Sequence, residues 1–540
     1  MARRVENVDV LIVGAGPVGS ALAIELGRQN VRCLVVERRT GRSPQPRAKL
    51  SNIRTMTLMR RWGLADRVRA LSPLPASFPS DIAFVTRLRG WELTRFPNAL
   101  STAVDRKRPY PEPAQQVPQD VLEDILRDHA RTLSSVTVTA GAQLESYEQT
   151  STEVTALCMT VDGSEELTVK AKFIAGCDGA HSLVREIAGI EMPGVGLAAN
   201  VSAVFRAPTL WSEHDKARAV HYWTVTPAAS GILGPLNPVD LWWYHLNEAP
   251  NDGMLSDDEI RRSFFAAVGG EFACDVIANS PWLAQRRIAT RYRAGNAFLL
   301  GDAAHLHPPM GGYGMNMGIG DAVDLGWKLG AVLNHWGGAG LLDSYEAERR
   351  PIHMRVIAEA TSNFQNNSNR YQDSDMEIEG PDGEEARRRL GSRIREEKAR
   401  EFASIGVQLG YRYEDSPLIV TDGSEPTPNE VGNYVPTARP GHLAPHAWVD
   451  EQRCIYDLLG AGFSLLRFTA ARDDDLDWVR AAKANAIPLT LVDLHGSEFR
   501  ELYGADRVLV RPDQHVAWRG STAADGLTLL NRARGQRVDQ

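Results

Sequence analysis

The sequence has few cysteines, and none of them forms a close pair. The five are Cys33, Cys158, Cys177, Cys274 and Cys454. Their number is odd and no C-x-x-C spacing occurs, which excludes a disulfide framework, a cysteine-ligated zinc site and a dithiol redox centre. We therefore expect a protein of the reducing cytoplasm, and we predict no metal site.

Long apolar runs and an excess of positive charge are also absent. The run 10–24 is shorter than the roughly 20 residues of a membrane span, and Asp9 and three glycines interrupt the pattern of a signal peptide. Lys and Arg number 60 against 68 Asp and Glu, a net charge of −8 at pH 7, which disfavours nucleic acid and anionic lipid as partners. We expect a soluble protein that binds neither nucleic acid nor membrane.

The first motif joins an apolar strand to a helix. Residues 10–13 are typical of a buried parallel strand, and Gly14-x-Gly16-x-x-Gly19 follows directly. Gly14 permits a tight turn, Gly16 the approach of a pyrophosphate, and Gly19 close helix packing. Glu37, which ends the next apolar run, can accept hydrogen bonds from ribose hydroxyls. This segment predicts binding of a dinucleotide, either FAD or NAD.

The second motif is a glycine- and proline-rich loop after the apolar run 297–300. Asp302 can accept hydrogen bonds from a polyol chain, and the backbone amides near Gly311 and Gly312 can approach a flat ligand. The helix that we expect to begin near Asn316 directs its positive end at that ligand, which suits the negative charge of a reduced flavin. A third motif, Asp178-Gly179, follows the apolar run 173–175 and would by itself indicate only a turn.

Together these motifs resemble the signature of the class A flavoprotein monooxygenases, the para-hydroxybenzoate hydroxylase superfamily, over residues 8–352. Residues 307–309, 324–329 and 511–519 are most similar to bacterial phenol hydroxylases and to relatives that modify polycyclic metabolites. The resemblance implies FAD as cofactor, with a set of contact residues drawn from all three motifs and their neighbours. These are Gly14, Gly16, Pro17, Gly19, Glu37, Arg38, Arg47, Gln119, Asp178, Gly301, Asp302, Pro309, Gly311, Gly312, Met315 and Asn316.

The same resemblance implies an α/β fold. We expect a Rossmann-like FAD-binding domain of the GR2 type, an inserted β-sheet substrate domain and a C-terminal thioredoxin-like α/β domain without redox cysteines. The expected boundaries are 1–188 and 291–365 for the two parts of the FAD-binding domain, 189–290 for the substrate domain, 366–440 for a helical linker region and 441–540 for the thioredoxin-like domain.

The chemistry that the resemblance implies is hydroxylation of an aromatic ring. In that chemistry, NAD(P)H as co-substrate reduces FAD, and O₂ adds at flavin C4a to form a flavin hydroperoxide. The terminal oxygen of this hydroperoxide passes to a ring carbon of a phenol. A phenolate ring is the better nucleophile, so we expect a side chain that takes or relays the phenol proton. The candidates, among which the sequence does not decide, are His221, Tyr222, Tyr244, His245 and His307.

Aromatic residues at 222–223 and 242–244 alternate at strand spacing, which predicts that half of them face the flavin. They indicate an apolar pocket for a substituted or multi-ring phenol, so the expected partners are a small aromatic substrate and O₂. One alternative is a tailoring oxygenase that epoxidises or oxidatively decarboxylates a polycyclic natural product. Another is a non-catalytic protein that kept the FAD fold. Whether the protein forms a homodimer stays open.

Overall fold

The computed structural model describes residues 2–42 and 48–536. Strands and helices alternate through the first part of the chain. They are β1 (Ala2–Asn7), β2 (Val10–Val13), α1 (Pro17–Gly27), β3 (Cys33–Glu37), β4 (Leu50–Ser51), α2 (Ile53–Arg61), α3 (Ala65–Leu71), β5 (Ile82–Val85), β6 (Glu92–Phe96), β7 (Gln115–Gln116), α4 (Gln119–Thr132), β8 (Val136–Ala140), β9 (Ala142–Gln149), β10 (Val154–Thr160), β11 (Glu165–Ala171), β12 (Phe173–Gly176) and α5 (Leu183–Ile187).

The middle of the chain is dominated by strands and ends in two long helices. These elements are β13 (Gly194–Arg206), β14 (His221–Thr224), β15 (Gly231–Pro235), β16 (Leu241–Leu246), α6 (Asp257–Val268), β17 (Asp275–Ile288), β18 (Arg293–Ala294), β19 (Ala297–Leu299), β20 (His305–Leu306), α7 (Gly314–Leu333) and α8 (Ser344–Gln365).

The last part contains α9 (Pro381–Phe402), α10 (Ile405–Leu409), β21 (Phe463–Arg467), α11 (Asp473–Ala484), β22 (Leu489–Asp493), α12 (Ser497–Tyr503), β23 (Arg507–Val510), β24 (Val516–Gly520) and α13 (Gly526–Ala533). No helix of the described residues is both long enough and apolar enough to cross a membrane.

A six-stranded sheet in the order β18-β19-β12-β2-β3-β8 carries the first and second motifs. Its central strands are parallel, and every residue of β2 and β3 is buried. Helix α1 packs on these strands, and the four-stranded sheet β1-β11-β10-β9 joins the same core. β19 pairs with β12 although more than 100 residues of chain separate them, and the strands between them mostly form another sheet. Two distant parts of the sequence therefore build one nucleotide-binding layer, whose strands end at the same edge.

An eight-stranded sheet in the order β20-β17-β13-β16-β15-β14-β5-β6 forms the second large layer. Its outer face packs Tyr222, Trp242 and Tyr244 against α6. Its inner face packs Trp223 and Trp243 in one cluster with Met310 of the glycine-rich loop. We expected residues 189–290 to supply this sheet, but two strands that we placed in the first FAD-binding segment extend it: β5 pairs with β14, and β6 pairs with β5.

Helix α6 shows how local sequence sets an element that covers this sheet. The side chain of Ser256 accepts a hydrogen bond from the backbone of Glu259, and the Glu259 carboxylate accepts one from the Ser256 backbone, which closes the first turn. The helix ends at Gly269, whose φ of +100° suits glycine. Phe264 then stacks on Phe205 of β13, with ring centroids 4.1 Å apart, so α6 is fixed on the outer face.

The C-terminal sheet has the order β22-β21-β23-β24, with β21 and β22 parallel and the other pairs antiparallel. Helices α11 to α13 complete an α/β layer of the thioredoxin-like kind that the sequence predicts. Cys454, the one cysteine of residues 441–540, is buried and free. The hairpin of β23 and β24 is anchored to the rest of the chain by Arg511, which donates to Glu348 at 2.6 Å and to Asp324 at 3.2 Å.

Candidate active site

The three glycines of the first motif have different surroundings. A Cβ on Gly14, whose φ is +100°, would lie 2.4 Å from the carbonyl oxygen of Cys177, and one on Gly19 would lie 1.9 Å from that of Gly14. A Cβ on Gly16 would have no atom within 4 Å. Pro17 then starts α1. Gly14 and Gly19 are thus required by packing, whereas Gly16 leaves open space at a helix N-terminus, where a pyrophosphate fits.

Glu37 ends β3 next to this turn and is buried. Its carboxylate accepts hydrogen bonds from the backbone N–H groups of Ala15 at 2.8 Å and Arg39 at 2.9 Å. Burial opposes ionisation, yet these bonds and the nearby charges of Arg39 and Arg127 hold the pKa of Glu37 below its usual value. A fixed carboxylate whose remaining lone pairs can accept hydrogen bonds suits the binding of ribose hydroxyls. Arg38 follows it and is exposed.

A row of polar side chains on α4 faces the same turn. The Oε1 atom of Gln119 accepts a hydrogen bond from the Ala48 backbone at 3.1 Å, and its Nε2 donates to Glu123 at 2.8 Å. Arg127 donates to Glu123 and, at 2.7 Å, to the carbonyl of Ala15. The sequence did not single out Arg127, although its spacing of four and eight residues from Glu123 and Gln119 places all three on one helix face. Arg47 lies outside the described residues.

The glycine-rich loop presents backbone to the same space. Gly301 begins a short 3₁₀ turn in which Asp302 is exposed, and Pro309 and Gly312 are exposed further along. The φ angles of Gly311 and Gly312 are +94° and +65°, a region that favours glycine. Helix α7 begins at Gly314, two residues before the predicted start, with Met315 in its first turn. Its N-terminus therefore lies at the end of the loop, as a flavin site requires.

Asn316 ties this loop to β4. Its side-chain amide donates to the carbonyl of Gly312 at 2.7 Å and of Leu50 at 3.0 Å, and its Oδ1 accepts from the backbone of Asn52 at 2.9 Å. Asn52 in turn caps α2 by accepting from Thr55. The residue that we predicted as a cofactor contact thus also fixes the chain that lies beside the loop.

Asp178 lies next to the first glycine turn, since a Cβ on Gly14 would come within 3.2 Å of the Asp178 backbone nitrogen. The Oδ2 atom accepts a hydrogen bond from Val184 at 3.2 Å. The Oδ1 atom is buried without a hydrogen-bond partner among the described residues, and burial raises the pKa of this carboxyl. An acceptor of this kind fits a ligand hydroxyl or amide.

The predicted base candidates do not share one site. Tyr222 and Tyr244 are fully buried on the outer face, where the Tyr222 hydroxyl donates to Ala217 at 2.9 Å and the Tyr244 hydroxyl lies 3.0 Å from Ser263 Oγ. His221 and His245 are half-buried on the inner face. The alternation that the sequence predicts is therefore present, and it directs the two tyrosines toward α6 and the two histidines toward the loop side of the sheet.

The inner face near the loop combines indole rings with basic groups. His221 meets the edge of Trp243 with ring centroids 5.0 Å apart, and His245 lies 4.7 Å from Trp282. The ammonium of Lys49, which directly precedes β4, lies 4.3 Å from the centroid of the Trp243 ring. Burial and the neighbouring charge of Lys49 lower the pKa of both histidines to about 3, so they are neutral at pH 7. The sequence did not identify Lys49.

The geometry fits FAD, and comparison with known proteins agrees. A model of the FAD binding domain matches residues 7–360, and one of the aromatic-ring hydroxylase C-terminal domain matches residues 437–536. The chain belongs to the FAD-dependent aromatic-ring hydroxylases. It is 33% identical over 550 residues to aklavinone 12-hydroxylase RdmE of Streptomyces purpurascens, with 96% of each chain covered.

Two further similar proteins are named for different compounds. The 2,4-dichlorophenol 6-monooxygenase of Delftia acidovorans is 30% identical, with 96% of each chain covered. The solved structure of the rebeccamycin biosynthetic enzyme RebC with reduced flavin has a TM-score of 0.90 at 35% identity and covers 99% of this chain and 100% of that one. The family resemblance, the fold class and the FAD cofactor that the sequence predicts are confirmed.

His307, the remaining base candidate of this flavoprotein, belongs to a buried histidine cluster under the loop. His305 and His353 each donate from Nε2 to the Asp321 carboxylate at 2.7 Å, and Arg349 donates to it at 2.7 Å. Both ring nitrogens of His307 are buried without a hydrogen-bond partner among the described residues, and burial beside the other two imidazoles holds its pKa well below the usual value.

Three imidazoles this close are a pattern found in metal sites, a class of site that we did not expect from the sequence. Nitrogen atoms of His305, His307 and His353 lie within 4.8 Å of one another. The rings of His305 and His353, however, stack with centroids 3.5 Å apart and planes inclined by 17°. Their lone pairs therefore lie in two nearly parallel planes and cannot both point directly at one ion. The contacts of this cluster fit the fixing of Asp321 better than the binding of a metal.

Proposed function

We propose that this flavoprotein uses NAD(P)H and O₂ to hydroxylate a hydrophobic, multi-ring phenol. A hydride from NAD(P)H and one proton reduce O₂ so that one oxygen atom enters a ring C–H bond and the other leaves as water, with release of NAD(P)⁺. When bound, FAD supplies the electron transfer and the activation of O₂. The side chains of this chain bind the ring system, orient it and control its proton.

The observation that carries the proposal is the composition of the inner face beside the glycine-rich loop of residues 301–313, the flavin loop. Trp282 is partly exposed there, and the buried Trp243 packs in the same cluster as Met310 of the loop. Trp223 is covered by Lys398 and Phe402 of α9, so it closes one end of the face. Flat apolar walls with a few polar atoms between them suit an aromatic ligand.

A cleft of about 480 Å³ adjoins this face. Leu197 and Phe364 line it and pack against the inner-face cluster, but its other seven lining residues are polar or charged. The indole rings of the inner face, rather than this cleft, therefore support a ligand of more than one ring. Relatives that are named aklavinone 12-hydroxylase and putative polyketide hydroxylase support a second candidate, oxidative tailoring of a polycyclic natural product.

Oxidation of NADH and NADPH by the FAD-loaded protein, with and without a series of phenols from phenol to 2-naphthol and larger ring systems, tests the proposal. We expect larger phenols to accelerate consumption most and to yield a product heavier by one oxygen atom. Loss of carbon dioxide from an added polycyclic acid would favour the tailoring reaction instead. Consumption that no aromatic compound accelerates would contradict both.

A further inference from the structure

Lys49 holds a position between the flavin loop and the inner face. Its neighbour Leu50 accepts a hydrogen bond from Asn316 at 3.0 Å, and a Cβ on Gly312 would lie 3.8 Å from the Leu50 side chain. The carbonyl of Lys49 itself accepts from Val117 at 2.8 Å, which fixes its backbone. From this anchored position the side chain extends across the ring of Trp243. The ammonium therefore lies where a ring bound between the loop and the sheet would meet it.

No carboxylate neutralises this charge among the described residues. Within residues 2–42 and 48–536, Nζ of Lys49 makes no hydrogen bond or ion pair, and its one close partner is the indole face of Trp243. The titratable groups that face it are His221 and His245, which are neutral at pH 7. Nε2 of His245 and Nε1 of Trp282 are buried without hydrogen-bond partners. The face thus offers one cation, polar ring atoms and no anion.

We propose that Lys49 binds the ionised hydroxyl oxygen of the phenolic substrate. This inference rests on the proposed function and specifies which oxygen-bearing group the site recognises. Lys49, whose pKa is about 8, is mostly protonated at pH 7.5. Binding therefore releases the phenol proton to solvent and leaves an ammonium–phenolate pair with no net charge. The electron density of the phenolate then raises the nucleophilicity of its ortho and para ring carbons.

The electrostatic environment supports this pairing. Burial lowers the pKa of Lys49 to about 8, so its charge is costly until an anion approaches. A phenol, with a pKa near 10 in water, ionises more easily beside a partly desolvated ammonium. In a purely structural role, Lys49 would only cover Trp243, and an uncharged side chain of similar length would replace it without altering the preference for phenols.

The experiment compares two ligands of almost the same shape, 2-naphthol and 2-methoxynaphthalene, on the oxidised FAD-loaded full chain. Affinity is measured at pH 7.5 by equilibrium dialysis, and the fraction of bound naphtholate by its absorption band. The variants are Lys49→Met, which keeps length without charge, Lys49→Arg, which keeps charge, and Lys107→Met, which removes an exposed lysine elsewhere.

We expect the wild type and Lys107→Met to prefer 2-naphthol at least about tenfold, the equivalent of one unit of pKa, and to bind it as naphtholate. Lys49→Met should lose both the preference and the naphtholate band, whereas Lys49→Arg should keep much of the preference. An unchanged preference in Lys49→Met would overturn the role of Lys49 and leave aromatic hydroxylation intact. Failure of the flavin-loaded wild type to bind either ligand would contradict the proposed function, and this inference with it.

Discussion

The ammonium of Lys49 lies over the indole ring of Trp243, 4.3 Å from its centroid. This contact links the strand that Asn316 holds against the flavin loop to the inner face of the eight-stranded sheet. It places the cation and the aromatic wall on the same side of the expected substrate. We therefore assign ring binding to Trp243 and proton control to its neighbour Lys49, not to the two buried tyrosines on the outer face, Tyr222 and Tyr244.

Removal of the Lys49 charge should stabilise the protein. The folded-state pKa of about 8 lies below the usual lysine value of about 10.4, so protonation disfavours the folded state. Stability is lost as pH falls from about 10.4 to about 8 and does not change further below that. We expect Lys49→Met to unfold at a higher temperature than wild type at pH 6.5, with a difference that shrinks toward pH 9.5. Thermal unfolding across this range measures it. A difference that is constant with pH would show that the charge is not desolvated.

The glycines of the first motif should separate cofactor binding from stability. Gly16→Ala places a methyl group in space that is open in the protein, so we expect an unchanged unfolding temperature and FAD affinity weaker by about tenfold or more, because the pyrophosphate needs that approach. Gly19→Ala instead meets the carbonyl of Gly14 and should lower the unfolding temperature. Flavin absorbance per protein and thermal unfolding distinguish the two; equal effects of both variants would contradict this assignment.

The sequence predicts much of the fold and of the flavin site, and the features that it does not predict have physical causes. The glycine motifs are local, so they predict the nucleotide turn and the flavin loop directly. Strand alternation predicts two faces at 222–223 and 242–244, but which face meets the loop depends on where α6 and α9 pack, and that is a long-range outcome. The sequence does not identify Lys49 either, because its partner Trp243 is nearly 200 residues away along the chain.

The two faces of the sheet should respond differently to substitution. Tyr244→Phe removes a hydrogen bond to Ser263 on the outer face, so we expect a loss of about 1 kcal/mol in unfolding free energy and unchanged affinity for 2-naphthol. Trp282→Leu removes a half-exposed indole from the inner face and should weaken 2-naphthol binding by roughly tenfold, since aromatic contacts contribute about 1 kcal/mol beyond their area. Weaker binding in Tyr244→Phe would reverse the assignment of the faces.

Asp321 should govern stability toward acid. It is fully buried, and although burial opposes ionisation, His353, Arg349 and His305 hold its pKa well below the usual value. Its stabilising effect is therefore present above the unfolded-state pKa of about 3.9 and is lost as pH falls through the lower folded-state value.

Asp321→Asn should cost about 3–5 kcal/mol of unfolding free energy at pH 7, since it leaves the buried charge of Arg349 unpaired. The cost should shrink as pH falls below about 4. Urea unfolding at several pH values measures this change. A cost under 1 kcal/mol at pH 7 would contradict the account of the cluster.

Incorporation of labelled oxygen tests directly whether the protein hydroxylates a phenol with an atom of O₂. FAD-loaded protein is mixed with NAD(P)H, ¹⁸O₂ and 2-naphthol, and the product is analysed by mass spectrometry. We expect a dihydroxynaphthalene that carries one ¹⁸O atom for each NAD(P)H consumed in coupled turnover, with no oxygen from water. Consumption of NAD(P)H that leaves every offered phenol unlabelled, or a product whose new oxygen comes from water, would contradict it.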